Sequence, residues 1–478
     1  MVDPRLLAIL SFVLLNAAAL LLQDDLGTSG SVQTFPTIAY SSLEELTATL
    51  VSEASMAESA AAAAADATAA ICNTLAAQLR GAVTAQNSTA YEALRDQPWS
   101  PTCWLPAACF VQPKSTADVA SILKTVKEKG SKFAVRAGGH NPNPGVNGVN
   151  SPGVVIDLRN LTSMSLDGDG VLHVGSGAKW GEIYTYLEEH GRVAIGGRQK
   201  DVGVGGYMLG GGMPAFPNLH GLAVDSLKGA EVVLAGSSIV TASSKENPDL
   251  LRALKGGGAN FGIVTRYDIQ TYPLIQTQYT VNVYNATDYV NILNATANLQ
   301  EAMEKDPKIG AFINTQGPMV AVGLFYAEWT EERPKAFDEF FNLGSLLQAV
   351  VPTTNGTVKS VGYTIQPLST TAIQAGHAGD GNTMGIQDVP QSEWSDAADD
   401  AEAEQVLDEL TEGMKKLASE QGQLLDFIFM NDASSKQQVL AGYGTENLKK
   451  LQRVAAKYDP ERVFQKLQND GFLLRKIA

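Results

Sequence analysis

Three glycine clusters in one half of the chain constrain its fold more than any other feature. The first is Arg136-Ala137-Gly138-Gly139-His140-Asn141, the second runs from Val202-Gly203-Val204-Gly205-Gly206-Tyr207 to Gly210-Gly211-Gly212, and the third is Gly256 to Gly262 with Asn260 inside it. Glycine loses more conformational freedom on folding than any other residue, so three such clusters need a common reason. A large ligand approached closely by the main chain supplies one, with Arg136 and His140 adding a cation and a titratable ring to its wall. Any single cluster also reads as a tight turn or a bulge between strands.

The segments between the clusters alternate. Ser115-Thr-Ala-Asp118 starts a helix on which Val119, Ile122, Leu123 and Val126 recur at helical spacing until Gly130. Phe133 to Val135 is then a strand leading into the first cluster. Val154 to Leu158 and Val171 to Val174 are further strands with Asp167 to Gly170 as the turn between them, and Trp180 to Glu189 is a helix. Glu231 to Ala235 and Ile239 to Thr241 form a hairpin. Asn247, as N-cap, starts a short helix with Pro248 at its first position, and the strand Gly262 to Ile269 follows. From about Thr271 glycine thins out. Strands at Tyr279 to Tyr284 and Met319 to Tyr326 interleave there with helices at Asn291 to Lys305, Glu331 to Leu347 and Ala401 to Gln421. A helix from Thr445 to Lys457, ended by Asp459-Pro460, is too short to be a domain and must pack back on another one. The fold class is α+β.

The formal charge of -16, from 51 acidic and 35 basic residues, argues against nucleic acid as a partner, because that binding draws its affinity from clustered Lys and Arg. Arg5 followed by the apolar stretch Leu6 to Leu22 reads as a secretory signal peptide, with an uncleaved anchor as the alternative; no stable membrane partner is expected. Sequons at Asn87, Asn160, Asn285, Asn294 and Asn355 agree with the secretory route. The three cysteines, Cys72, Cys103 and Cys109, allow one bridge there. Arithmetic does not choose the pair, and Cys72 with Cys109 is favoured.

The three clusters, together with the tail from Tyr443-Gly444 to Lys457-Tyr458-Asp459-Pro460-Glu461-Arg462-Val463-Phe464, resemble the FAD-linked oxidases of the berberine bridge enzyme and vanillyl-alcohol oxidase type, in a fungal flavour. The resemblance covers most of the chain from about residue 70. It implies a bipartite FAD-binding domain (71–272 and 426–478) interrupted by a substrate domain with an antiparallel sheet (273–425), after a signal peptide (1–22) and a linker with an alanine-rich helix (23–70). It implies a cofactor site of Arg136, Ala137, Gly138, Gly139, His140, Asn141, Val202, Gly203, Gly205, Gly206, Gly210, Asn260, Gly262 and Val264. Arg136 would lie beside the diphosphate and Asn260 and Gly262 by the adenosine. His140 would be tethered to the 8α carbon of the flavin, since a neutral imidazole nitrogen is nucleophilic and the bond raises the flavin's potential. Doubly tethered members carry a cysteine where this chain has Gln199, so one covalent bond at most is expected. Val202 matches the position that gates oxygen, and no metal is implied.

The implied chemistry is hydride transfer from a small organic substrate to flavin, with O2 as acceptor and Tyr207 and Asn431 beside the ring. The proton-removing base would be a tyrosine or carboxylate on the substrate-domain sheet and is left open, with Tyr279, Tyr284, Tyr326 and Tyr363 as candidates. A secondary metabolite is the expected substrate and a sugar the alternative. A secreted glycoprotein that keeps the fold without turnover is the rival of another class. A nicotinamide enzyme is disfavoured because no Gly-x-Gly-x-x-Gly sits at a strand-to-helix turn of a βαβ unit. The sequence leaves the oligomeric state open.

Overall fold

The computed structural model describes residues 70–316, 318–350, 362–365, 400–422 and 426–477, with Ala372, Gln374, Met384 and Leu424 between them. The signal peptide, the linker, most of the alanine-rich helix and Asn355 lie outside the described residues. Among the described residues no helix is long and apolar enough to cross a membrane, and no group of three or more His, Cys, Asp or Glu side chains could hold a metal ion.

Three sheets carry the α+β architecture. The first has the order β1-β2-β4-β3, from Val83–Ala85, Cys109–Val111, Phe133–Arg136 (β3) and Val154–Asp157 (β4), with β2 and β3 parallel to β4. A helix described from 70 to 78 (α1) and helix α2, Thr116–Glu128, pack on it. The α2 start follows the expectation: the Ser115 side chain accepts from the Asp118 amide at 3.2 Å, and Val119, Ile122, Leu123 and Val126 are fully buried.

Cys72 on α1 is bridged to Cys109 on β2, the favoured pair, and Cys103 is a buried free thiol. The bridge spans 37 residues of chain. By loop-closure entropy it contributes about 3–4 kcal/mol. Replacing Cys72 and Cys109 by serine is therefore expected to lower the free energy of unfolding by that amount in a urea titration.

The second sheet has the order β5-β6-β10-β8-β9: Met164–Leu166, Val171–Gly175 (β6), Ile263–Pro273 (β10), Leu227–Val233 (β8) and Ile239–Ser243 (β9), with β7, Arg192–Ala194, pairing the end of β10. The turn at Asp167 joins β5 to β6, because a short strand intervenes after β4. Helix α3, Trp180–Glu189, and helix α4, Val204–Leu209, share the core of this sheet. Helix α5, Pro248–Leu254, begins as expected but without the cap. Asn247 sits at φ 51°, which turns its amide back to donate to the Thr241 carbonyl at 2.8 Å.

The third sheet is antiparallel, β14-β11-β13-β12-β15: Leu346–Val350 (β14), Gln278–Asn285 (β11), Met319–Tyr326 (β13), Ile309–Gln316 (β12) and Gly362–Ile365 (β15). Helix α6, Tyr289–Met303, covers one face. The expected helix from Glu331 to Leu347 is overturned. Pro334 confines helical structure to Lys335–Asn342, and β14 pairs with β11 instead. A long helix α7, Asp400–Glu420, follows.

The tail returns to the first two sheets. Helix α8, Thr445–Tyr458, buries Leu451, Val454, Ala455 and Tyr458 in the core of the second sheet. Both carboxylate oxygens of Asp459 accept amides of the next short helix, α9 (Val463–Lys466), from Val463 at 2.6 Å and Phe464 at 2.9 Å. The last turn then pairs with β3: the Phe133 amide donates to Leu467 at 3.0 Å and the Asn469 amide donates to Phe133 at 2.7 Å.

Candidate active site

The first two glycine clusters meet backbone to backbone. A Cβ at Gly138 would lie 2.5 Å from the Gly203 nitrogen, and one at Gly203 would lie 2.6 Å from the Gly138 Cα, so nothing larger than glycine fits either position. The crossing is pinned by the Trp180 amide donating to Val202 at 3.0 Å and the Val204 amide donating to Ala178 at 2.9 Å. Gly205 lies against Ala137 and Ser176, whereas a Cβ at Gly206 would meet open space.

His140 follows the crossing and is exposed, with its ring 5.8 Å from the Trp99 ring. The enclosing protein lowers its pKa by desolvation; Asp201 opposes that shift and Lys179 adds to it. Its ring is therefore neutral at pH 7. Asn141 turns the chain away, its Oδ1 accepting the Asn143 amide at 2.9 Å.

Arg136 does not face the open side. Its guanidinium is 1 % exposed, donates to Asp157 at 2.7 Å and lies 4.8 Å over the Phe110 ring. Asp157 is fully buried and also receives Arg159.

Tyr207 on α4 packs edge-on to Trp180 at 5.3 Å, and its ring fills the space beside Gly212. Its buried hydroxyl has no partner among the described residues, and burial pushes its pKa well up. Asn431 reaches α4 from the returning tail: its Oδ1 accepts the Gly212 amide at 2.8 Å and its Nδ2 donates to the Gly206 carbonyl at 3.2 Å. Gly210 has to be glycine because a Cβ there would collide with Asn431.

The third cluster joins the second where the Gly258 amide donates to Leu209 at 3.2 Å. Asn260 is fully buried and spends its whole side chain on the protein. Its Nδ2 donates to Gly257 and Phe472 at 2.8 and 2.9 Å, and its Oδ1 accepts from Gln465 and Leu474, each at 2.9 Å. Gly262 is pressed on Val232, and Val264 pairs with Val232 inside the second sheet.

Two charged residues outside the sequence expectation border the same space. Arg198, next to Gln199, lies 5.3 Å over the ring of Phe312 on β12. Asp432 follows Asn431. Burial pushes its carboxyl up to about 6, against the opposing pull of Arg198, and Tyr207 interacts with both charges. The signal for Asp432 was its place beside Asn431; no local pattern marked Arg198, whose surroundings come from another sheet.

The face of the third sheet turned away from α6 is aromatic. Phe312 lies over Gly323, its cross-strand partner, and its ring is 5.7 Å from Phe325, which stacks with Tyr279 at 6.0 Å. Phe216, just past the second cluster, meets Phe325 edge-on at 6.2 Å. Two of the other tyrosines considered as bases, Tyr284 and Tyr326, do not reach this face. The Tyr284 hydroxyl donates to Phe340 under the helix layer, Tyr326 donates to Asp306, and the side chain of Tyr363 lies outside the described residues.

These residues fit a flavin. A main-chain crossing with no Cβ, an exposed neutral imidazole just after it in the chain and an orphaned buried phenol on the helix that follows are what a large planar cofactor held by backbone amides requires.

Residues 107–243 match a family described as FAD binding domain. The FAD-dependent monooxygenase macF of Penicillium terrestre is 32% identical over 445 residues, which cover 80% of this chain and 85% of that one. The bifunctional solanapyrone synthase of Alternaria solani is 30% identical over 77% of this chain and 81% of its own. Among solved structures, glucooligosaccharide oxidase from Acremonium strictum, whose FAD is 6-S-cysteinyl and 8α-N1-histidyl, superposes with a TM-score of 0.69 at 20% identity. The match covers 85% of this chain and 99% of that one. The 6-hydroxy-D-nicotine oxidase of Arthrobacter nicotinovorans gives 0.65 at 21% identity, over 82% and 97%. The chain therefore belongs to the FAD-linked oxidoreductases of the berberine bridge enzyme and vanillyl-alcohol oxidase type.

Proposed function

We propose that this FAD-dependent oxidoreductase is a secretory-route oxidase of a flat, largely apolar secondary metabolite, with O2 as acceptor and the flavin held by one covalent bond to His140. The observation that carries this reading is the exposed, neutral imidazole that follows the Gly138–Gly203 crossing in the chain. Bound FAD supplies the hydride acceptor. Ala137, Gly138, Gly139, Gly203, Gly205, Gly206 and Gly210 form its main-chain wall, Asn141 turns the chain beside it, and Tyr207 and Asn431 flank the ring. Arg136, Asn260, Gly262 and Val264 hold that wall in place through the protein, as their buried partners indicate. Val202, half-buried at the crossing, is the residue past which O2 arrives. The FAD-binding domain spans 71–272 and 426–478, around a substrate domain of 273–425.

The aromatic face favours a flat substrate over a sugar. Each sugar hydroxyl taken from water needs a hydrogen-bond partner, and Phe312, Gly323 and Phe325 offer none from their side chains. Four sequons, at Asn87, Asn160, Asn285 and Asn294, are exposed, as glycan acceptors must be, and with the Cys72–Cys109 bridge they support passage through an oxidising compartment.

The test is acid precipitation of the purified holoenzyme. Yellow colour is expected in the pellet of the wild type and in the supernatant of His140→Ala. Colour released from the wild type removes the tether, and a protein that takes up no FAD removes the whole assignment.

A further inference from the structure

We propose that Asp432 is the proton acceptor of the reaction, taking the proton of a substrate hydroxyl, with Arg198 as the residue that positions its charge. The inference rests on the flavin-site reading above and names a base on the returning tail, where the sequence directed the search to a tyrosine or carboxylate of the substrate-domain sheet.

Three observations converge. Asn431 bonds both Gly206 and Gly212, which fixes the 431–432 peptide against the end of α4 whose Gly206 faces open space. Arg198, which acts electrostatically on Asp432, bears on Phe312 and so joins the carboxylate to the aromatic face on which a flat substrate would lie. The Tyr207 hydroxyl, within electrostatic reach of both, is buried with no partner among the described residues. The charged and titratable groups that bear on Asp432 are thus Arg198 from the loop after β7 and Tyr207 from α4, with Tyr184 on α3 coupled to both of these.

A carboxylate held only as a structural partner of an arginine would be more acidic than usual. Here burial outweighs Arg198, and the group accepts a proton near neutral pH, as a general base should. In the step, the O–H bond breaks and its proton passes to Asp432. The C–H bond on the same carbon breaks with its electron pair leaving as hydride to the flavin, and a carbonyl forms. The substrate is oxidised and the flavin reduced by two electrons.

The test uses the holoenzyme and cinnamyl alcohol, a flat primary alcohol, mixed anaerobically while flavin absorbance is followed from pH 5 to 8. The bleaching rate is expected to rise with pH through a midpoint of about 6 and level off above it. In Asp432→Asn it is expected to fall by about 10²–10⁴ and lose that midpoint, with part of the rate and a midpoint restored in Asp432→Glu. In parallel, infrared spectra of protein carrying ¹³C-aspartate should show a protonated carboxyl that disappears over the same range and is missing from Asp432→Asn. The proposal is overturned by a wild-type flavin that does not bleach at any pH, by a variant as fast as the wild type, or by a carboxyl band that persists in Asp432→Asn. A protein without flavin absorbance would instead remove the cofactor reading on which the proposal rests.

Discussion

Asp157→Ala is expected to lower the free energy of unfolding by roughly 3–5 kcal/mol, the cost of leaving a buried arginine without its counter-charge. Asp157 is fully buried, and its carboxylate receives Arg136 at 2.7 Å and the Arg159 Nε at 2.9 Å. Arg136 is 1 % exposed beneath the glycine crossing, with an Nε that already has no partner among the described residues, so water cannot replace the lost carboxylate without opening the first sheet. Chemical denaturation at pH 7 measures the effect. A loss below about 1 kcal/mol would mean that the guanidinium swings into the cofactor space, and would restore the diphosphate role that the sequence suggested.

Gly138→Ala is expected to remove flavin-loaded protein altogether. The new methyl group would sit 2.5 Å from a backbone nitrogen and 2.6 Å from a Cα, both of Gly203, and neither can rotate aside as a side chain would. Overpacking that moves backbone costs more than about 3 kcal/mol when no side chain can yield. Gly413→Ala, on helix α7 and outside the cofactor wall, is the control. It adds the same methyl group into open space on a helix, so the protein should fold with unchanged or slightly higher stability. Flavin absorbance per mole of soluble protein separates the two variants. Equal loading in both would show that the crossing tolerates a side chain.

The amphipathic elements were legible because burial follows local periodicity. α2 begins at Ser115 and buries the four residues that its spacing picked out, and α8 buries Leu451 and Ala455. The helix expected between Glu331 and Leu347 failed because β14 takes its conformation from pairing with β11, some sixty residues earlier in the chain, which no local pattern reports. In the site, the glycines were legible as glycines, but their reasons differ. Gly138 makes room for Gly203, Gly210 for Asn431 and Gly262 for Val232. Arg136 and Asn260 have the chemistry of ligand contacts, and both are consumed by buried partners whose proximity the sequence does not encode locally. Arg198 and Asp432 stand 234 positions apart, and only the return of the tail brings their charges together.

That return also orders events during synthesis. The strand carrying the first glycine cluster receives its neighbour from Leu467 and Asn469, which are synthesised long after it. The Asn260 loop likewise waits for Gln465, Phe472 and Leu474. A nascent chain therefore has no finished cradle to offer before its tail is made, and cofactor loading is expected to wait for the returning segment.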